Sequence, residues 1–360
     1  MWVELARAYA TLGLPKPAER AISIALRLAR ENRYVLRCAA RFFIHQNDLV
    51  RAHDLLRRSD SVRADPWLLS AEIAVANAAS RVSNHIRSAR AMLEGRRIGP
   101  FDLSELGSAL ATTELEAGKT KHARRLFRRS LERPSENSIA QAAWAQRRFG
   151  VSIVDPGVLE GGSSSEATAW AKYQDGEWQL GLEHAKRWLD DQPFSSRPAT
   201  FGSYIASVCL ASYDECAGIA RRGLMANPNN FLLLNNLTFG LAQMGQVHDA
   251  EREIGRINPE HLPEQDRVVW TATRGLVQYR LGHFETGKAL YREAVQLASD
   301  RRDRRRLALA SIFFAMEELR ARGSDGGALR AEALARCEGL PLPELDVLAA
   351  RLRSVEWSRQ

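Results

Sequence analysis

The feature that most restricts this chain is a recurrence. Trp2, Leu5, Ala6, Tyr9, Gly13, Ala18, Ile22 and Ala25 return 34 positions later as Leu36, Ala39, Ala40, Phe43, Asn47, Ala52, Leu56 and Ser59, with side-chain type kept at nearly every step. Two antiparallel helices of about three turns each, joined by a tight turn, use about 34 residues. Gly or Asn recurs at the turn because one residue there must accept a positive φ. The small residues let paired helices approach closely. Such a unit cannot bury its apolar face alone, so neighbouring units must stack.

The order continues along the chain. A third unit, around Trp67 to Leu93, keeps Ala89 and Leu93 but has a lengthened turn near Asn77 to His85. A fourth carries Leu110, Ala111, Gly118, Ala123, Phe127 and Ser130, and a fifth first helix, Ile139 to Arg148, ends at Gly150. Further units follow through Gly176, Ala185 and Trp188, Ala211 to Gly223, Leu234 to Ile254, Gly275 to Ala294, and Gly323 to Ala335.

This pattern resembles the tetratricopeptide repeat, and the resemblance covers nearly the whole chain. It implies an all-α, right-handed superhelical solenoid of antiparallel helix pairs, with about nine units at this period. It also implies that first helices line a concave groove that holds a protein or peptide.

Val151 to Glu166, with Pro, Gly and Ser and no helical period, reads as a loop or linker. It reads equally as a boundary between repeats in 1–150 and repeats in 167–340 or as an insertion in one continuous solenoid; a capping helix, Leu345 to Val355 within 341–360, follows the last repeat. Charge divides at the same place. The net +8 of the 360 residues resolves into +11 over 1–150 and −3 over 151–360. Only six of the 51 basic residues are lysine, which reflects either codon usage or selection for guanidinium forks that grip carboxylate or phosphate.

Several chemistries are disfavoured. Gly118-Lys119-Thr120 lacks the glycine and strand of a phosphate-binding loop: Thr113 stands where that glycine is needed. The eight histidines form no zinc-binding spacing, and the four cysteines form no CxxC pair. Gly202-Ser203 is followed by Tyr204 and makes no nucleophile elbow. Neither a catalytic site nor a cofactor is expected. The most apolar run, Leu307 to Met316, spans ten residues against the roughly 20 needed to cross a bilayer. With no secretory signal and scattered cysteines, a cytoplasmic, bacterial-type protein is expected.

A binding groove remains. Arg37, Arg41 and His45, spaced by four, share a helix face, and Arg7 holds the equivalent register in the first unit. Such a stripe suits acidic side chains or a peptide carboxylate. Further along, Trp144, Trp170, Tyr173, Asn235, Phe239 and Tyr279 fall in the same register, where the aromatics read equally as core or as groove. Asn235-Asn236 resembles the asparagines with which peptide-binding members of the family hold ligand backbone. The amide can both donate to and accept from a peptide unit. The partner-binding set is therefore Arg7, Arg37, Arg41, His45, Trp170, Tyr173, Asn235, Asn236 and Phe239. Two arginine clusters, Arg124 to Arg129 and Arg301 to Arg306, read first as solvated surface and second as phosphate contacts. The expected role is a non-catalytic adaptor. The alternatives are a nucleic-acid-binding solenoid using the basic half, or a regulatory or sensor subunit of a bacterial signalling or defence complex.

Overall fold

The computed structural model describes residues 1–95, 97–155, 157–158 and 164–355. Among them lie twenty α-helices and no strand. The chain forms two compact units, Met1–Ala171 and Lys172–Gln360.

The first unit opens with the hairpins α1 (Trp2–Thr11) with α2 (Pro15–Leu28) and α3 (Arg33–His45) with α4 (Leu49–Arg57). Next come α5 (Pro66–Ala78) with α6 (Ile86–Glu94) and α7 (Pro100–Glu116) with α8 (Thr120–Ser130), then α9 (Glu136–Phe149); α10 (Ser165–Gln174) begins in this unit and its last three residues, 172–174, belong to the second. Local chemistry sets the starts: Asn32, Asp48 and Ser135 accept the backbone N–H of Val35, Arg51 and Ser138, while Asp65 accepts two, from Trp67 and Leu68. Caps of this kind are worth about 1 kcal/mol each. The turns follow the sequence pattern. Gly13 and Asn47 take φ of 68° and 58° between the helices of the first two hairpins.

The lengthened third turn has a specific anchor. Ser83 donates to the buried Glu72 carboxylate at 2.5 Å, and Glu72 also meets His53 Nε2 at 2.9 Å. The loop from 79 to 85 is thereby pinned under the hairpin. Within the expected linker, the backbone N–H groups of Ile153 and Val154 donate to Gln146 Oε1 of α9 at 2.8 and 3.0 Å. Val154 is buried with Ile139, Ala142 and Ala167. Residues 156 and 159–163 lie outside the described residues.

First helices touch one another in succession, α1 to α3 to α5 to α7 to α9, whereas second helices lodge against their own first helix and the following one. The unit therefore has an inner layer of first helices and an outer layer of second helices. Ala18, Ala39, Ala52, Leu56, Ala111, Ala123 and Phe127 are fully buried between them. Each large apolar side chain so buried contributes roughly 1.5–3 kcal/mol.

The second unit repeats the arrangement. Its second helices are α11 (Trp178–Asp191), α13 (Tyr213–Ala226), α15 (Val247–Ile254), α17 (Phe284–Asp300) and α19 (Gly326–Cys337). Its first helices are α12 (Ser196–Tyr204), which continues as a π-helical turn through Ile205–Cys209, α14 (Phe231–Gln243), α16 (Glu264–Arg280) and α18 (Arg304–Arg320). Close packing depends on glycine at one crossing: a Cβ on Gly287 would stand 2.6 Å from the Tyr279 ring, and one on Gly275 2.8 Å from Tyr291. At the last hairpin the left-handed residue is Arg322, φ 55°, one position before the expected Gly323.

The final helix, α20 (Pro343–Ser354), packs on α18 and α19 and on the π-helical turn. Its buried Glu344 accepts from Tyr173 Oη at 2.6 Å, Tyr204 Oη at 3.0 Å and Arg305 Nη2 at 2.8 Å. Arg351 donates to the carbonyls of Val208 and Cys209, which satisfies the end of the π turn. The helix expected as a terminal cap therefore also ties the start of this unit to its end.

Candidate functional site

The inner layer of the first unit gathers the N-terminal arginines. Arg37 donates to Glu105 Oε2 of α7 at 2.7 Å, with side chains 20% and 10% exposed, and its guanidinium lies 5.3 Å over the Trp67 ring. Trp67 in turn meets Phe101 edge-on at 5.6 Å and donates from Nε1 to Asp102 at 3.2 Å. Glu105 is also held by Asn137 of α9 at 2.6 Å. Arg37 thus acts as a brace between α3 and α7 rather than a free charge.

Arg41 is different. It is exposed and forms no ion pair among the described residues; crowding of its guanidinium by surrounding atoms and the like charges of Arg37 and Arg7 hold its pKa below the ordinary arginine value, against the opposing pull of Glu105. Arg7 pairs with Glu4, three residues earlier, at 3.1 Å on an exposed face. Two large aromatic side chains flank this strip in the open: Tyr34 and Phe101 are each 51% exposed. The Tyr34 hydroxyl donates to Glu4. His45, at the end of α3, is half-buried, and burial holds its pKa below the ordinary histidine value. It is neutral at pH 7 and adds no charge to the stripe.

The remaining expected groove residues, Asn235 apart, are engaged inside their own units; Asn235 Oδ1 is buried without a hydrogen-bond partner among the described residues. Arg147 stacks over the Trp170 ring at 4.6 Å. Tyr173 is buried and bound to Glu344, and its ring meets Trp178, Phe201 and Tyr204. Asn235 is 5% exposed. Asn236 donates to Thr200 O at 3.3 Å and Ser203 Oγ at 2.9 Å, and Phe239 packs on Tyr213 and Phe313 at 6.2 and 5.2 Å. Their register is that of a groove, but helices α12, α14 and α18 approach closely enough to consume them. Arg280 and Arg320 add polar crosslinks through Gln243 and Glu317 on the same inner layer.

The N-terminal charge sits elsewhere. In the first unit the second helices α2, α4, α6 and α8 carry twelve Lys and Arg against three Asp and Glu, whereas the first helices α1, α3, α5, α7 and α9 carry six against seven. In the second unit the second helices carry nine against twelve. The basic excess therefore belongs to the outer layer of one unit, a distinction that charge counts over 1–150 did not draw. On the inner side of that layer, Glu114 at the end of α7 is paired with Arg90 and lies 3.5 Å from Lys119. Burial pushes its carboxyl upward, but the Arg90 hydrogen bond and the two cations hold it below the usual carboxylate value.

Among the described residues no nucleophile array is formed. Around Glu72 the order is serine, carboxylate, histidine, with the carboxylate central, so no base is placed to activate Ser83. Burial pushes the Cys209 and Cys216 thiols up to about 12, far from thiolate at neutral pH. Among the described residues no three His, Cys, Asp or Glu side chains are grouped to hold a metal, and no helix is long and apolar enough to cross a membrane.

Both units are stacks of antiparallel helix hairpins of the tetratricopeptide-like kind, with the first helices inside. No family model matches the sequence, and no curated protein matches it. Among solved structures, the chain is similar to yeast Tom70 at 11% identity, over 98% of this chain and 88% of that one, with a TM-score of 0.38. It is also similar to human IFIT1, solved as a dimer with PPP-AAAA, at 12% identity over 98% and 81%, with a TM-score of 0.40. A tetratricopeptide repeat protein from Parabacteroides merdae is similar at 14% identity over 77% and 98%, with a TM-score of 0.31. At such scores no functional conclusion passes from these proteins to this chain.

Proposed function

We propose that this protein is a non-catalytic interaction scaffold that holds an acidic peptide segment of a protein partner on the inner layer of its first unit. The observation that carries the reading is the strip formed by Arg7, Arg41, Arg37, Trp67 and Phe101. Arg41 is an exposed guanidinium without a carboxylate partner, flanked by half-exposed aromatic rings and by an arginine already fixed in place. Arginine and aromatic anchors of this kind dominate protein interfaces, because they combine contact area with directed hydrogen bonds. Arg37, locked by Glu105, presents a pre-oriented neighbour rather than a ligand-binding group of its own. His45 completes the end of the strip as a neutral side chain.

Arg41→Glu is the direct test, because Arg41 forms no ion pair among the described residues; circular dichroism identical to the parent accompanies it. Arg37→Glu is less clean: it would leave Glu105 facing a like charge. In a fluorescence titration with a panel of nine-residue peptides, acidic sequences bind in preference to neutral ones, and Arg41→Glu lowers their affinity at least tenfold. Equal binding of acidic and neutral peptides, or no loss in Arg41→Glu, would contradict the assignment.

A further inference from the structure

A second surface of the first unit carries chemistry that the inner layer does not explain. Between α6 and α8 lies an open groove of about 1260 Å³, lined by Arg90, Lys119, Lys121, Arg124, Arg125 and Arg128, with His122 beside them. Its single carboxylate, Glu114, is already paired with Arg90 and Lys119. The helix α8 places Ala123, Phe127 and Ser130 in the core, so Lys121, Arg124, Arg125, Arg128 and Arg129 all face outward. None of these five cations pairs with a carboxylate among the described residues. Only Arg125 has a side-chain partner, His122 Nδ1 at 3.1 Å. Elsewhere on this chain many arginines pair with Glu, Asp or carbonyl groups, as Arg37, Arg305 and Arg351 do. Here five like charges on one helix repel one another and are left unsatisfied.

We propose that this groove is a docking surface for the phosphate backbone of duplex nucleic acid, bound without regard to sequence. Charge complementarity selects a polyanion, since the groove offers six cations around one neutralised acid. Its lining holds no large apolar side chain, so a folded acidic protein would find no buried anchor there, and exposed ion pairs alone bind weakly. It holds no Phe, Tyr or Trp, the broad stacking platforms that capture single-stranded bases, and its one imidazole, His122, is engaged by Arg125. What remains is recognition of closely spaced phosphates by forked guanidinium groups, with counterions released as the driving term. Duplex nucleic acid presents the denser charge of the two strand states. The outer layer continues the theme through Arg87 on α6 and Arg20 and Arg27 on α2, which also lack ion pairs among the described residues. This surface is separate from the Arg41 strip, so the two readings stand or fall independently.

The test uses the full chain and a fluorescein-labelled 24-base-pair DNA duplex of mixed sequence, followed by anisotropy between 50 and 200 mM NaCl. With about four to six phosphate contacts, log K falls with log salt at a slope of roughly −4 to −5. Arg124→Glu/Arg125→Glu/Arg128→Glu lowers affinity at least thirtyfold and flattens the slope. Should that variant fail to fold by circular dichroism, Arg124→Gln/Arg125→Gln/Arg128→Gln replaces it, with at least a tenfold loss. Arg187→Glu/Arg221→Glu/Arg222→Glu, on the outer helices of the other unit, leaves binding within twofold. An unrelated duplex sequence binds equally. The proposal is overturned by absence of duplex binding at 50 mM salt, by α8 variants that bind like the parent, by a single strand of the same length binding more tightly, or by polyglutamate competing as well as duplex at equal charge.

Discussion

The two units are built from the same hairpin, yet they spend their inner layers differently. In the second unit α20 lies against α18 and the π turn, and Glu344 gathers Tyr173, Tyr204 and Arg305 around one buried carboxylate. Phe239 meets Phe313 across α14 and α18, and Asn236 is used up on α12. In the first unit the equivalent layer keeps Arg41 and Phe101 open, and the outer layer carries unpaired cations. The contrast teaches that register on a first helix defines where a groove would be, while the approach of neighbouring helices decides whether it is open. One unit is closed on itself; the other has surface to offer.

The contrast breaks most visibly at Glu344. Glu344→Ala strands two tyrosine hydroxyls and one side of Arg305. About 3 kcal/mol is lost from the second unit, since buried donors lose their acceptor while the half-exposed Arg305 recovers water. Calorimetry would show its transition falling by roughly 6–12 °C, with the transition of the first unit unmoved. A single unshifted melt would mean that α20 does not close this unit.

Glycine packing gives the next effect. Gly287→Ala places a methyl 2.6 Å from the Tyr279 ring and costs about 1–3 kcal/mol in urea unfolding. Gly107→Ala in the first unit meets Ser130 Cβ at 3.0 Å and costs less. Reversal of that order would contradict the tighter packing assigned to the second unit.

A smaller effect is set by pH. Glu114 titrates below its ordinary value of 4.5 in the folded state, so the stability it gives the first unit is present above pH 4.5 and is lost as pH falls through the lowered value. The stability gap between the parent and Glu114→Gln therefore narrows on acidification below 4.5. A gap independent of pH would show that Arg90 and Lys119 do not hold the charge. Smallest is Arg322→Gly, which relieves a left-handed non-glycine residue and stabilises the second unit by about 0.5–1 kcal/mol.

Much of the fold was legible because its signals are local. Gly13 and Asn47 announce the turns, Ala123 and Phe127 the buried side of α8, and Gly150 the end of α9, each through a φ value or a helical period. The closure of the second unit left no such mark. Glu344 lies 171 residues from Tyr173 and 140 from Tyr204, and no periodicity links positions that far apart. Tyr173, Asn236 and Phe239 occupied the correct register yet were committed to neighbours that only the fold brings near, and Asn235 was buried there with its Oδ1 unpaired among the described residues. Likewise the arginine stripe of α3 was visible, but Glu105, which fixes Arg37, sits 68 residues away. Net charge over 1–150 concealed its own location, because first and second helices alternate faster than any charge window resolves.

Hydrogen–deuterium exchange on the full chain, with and without a saturating acidic peptide, tests the central contrast most directly. Protection confined to α1, α3 and the starts of α5 and α7, with α12, α14 and α18 unchanged, is the predicted result. Protection centred on α14, or exchange that the peptide does not alter anywhere in the first unit, would contradict it.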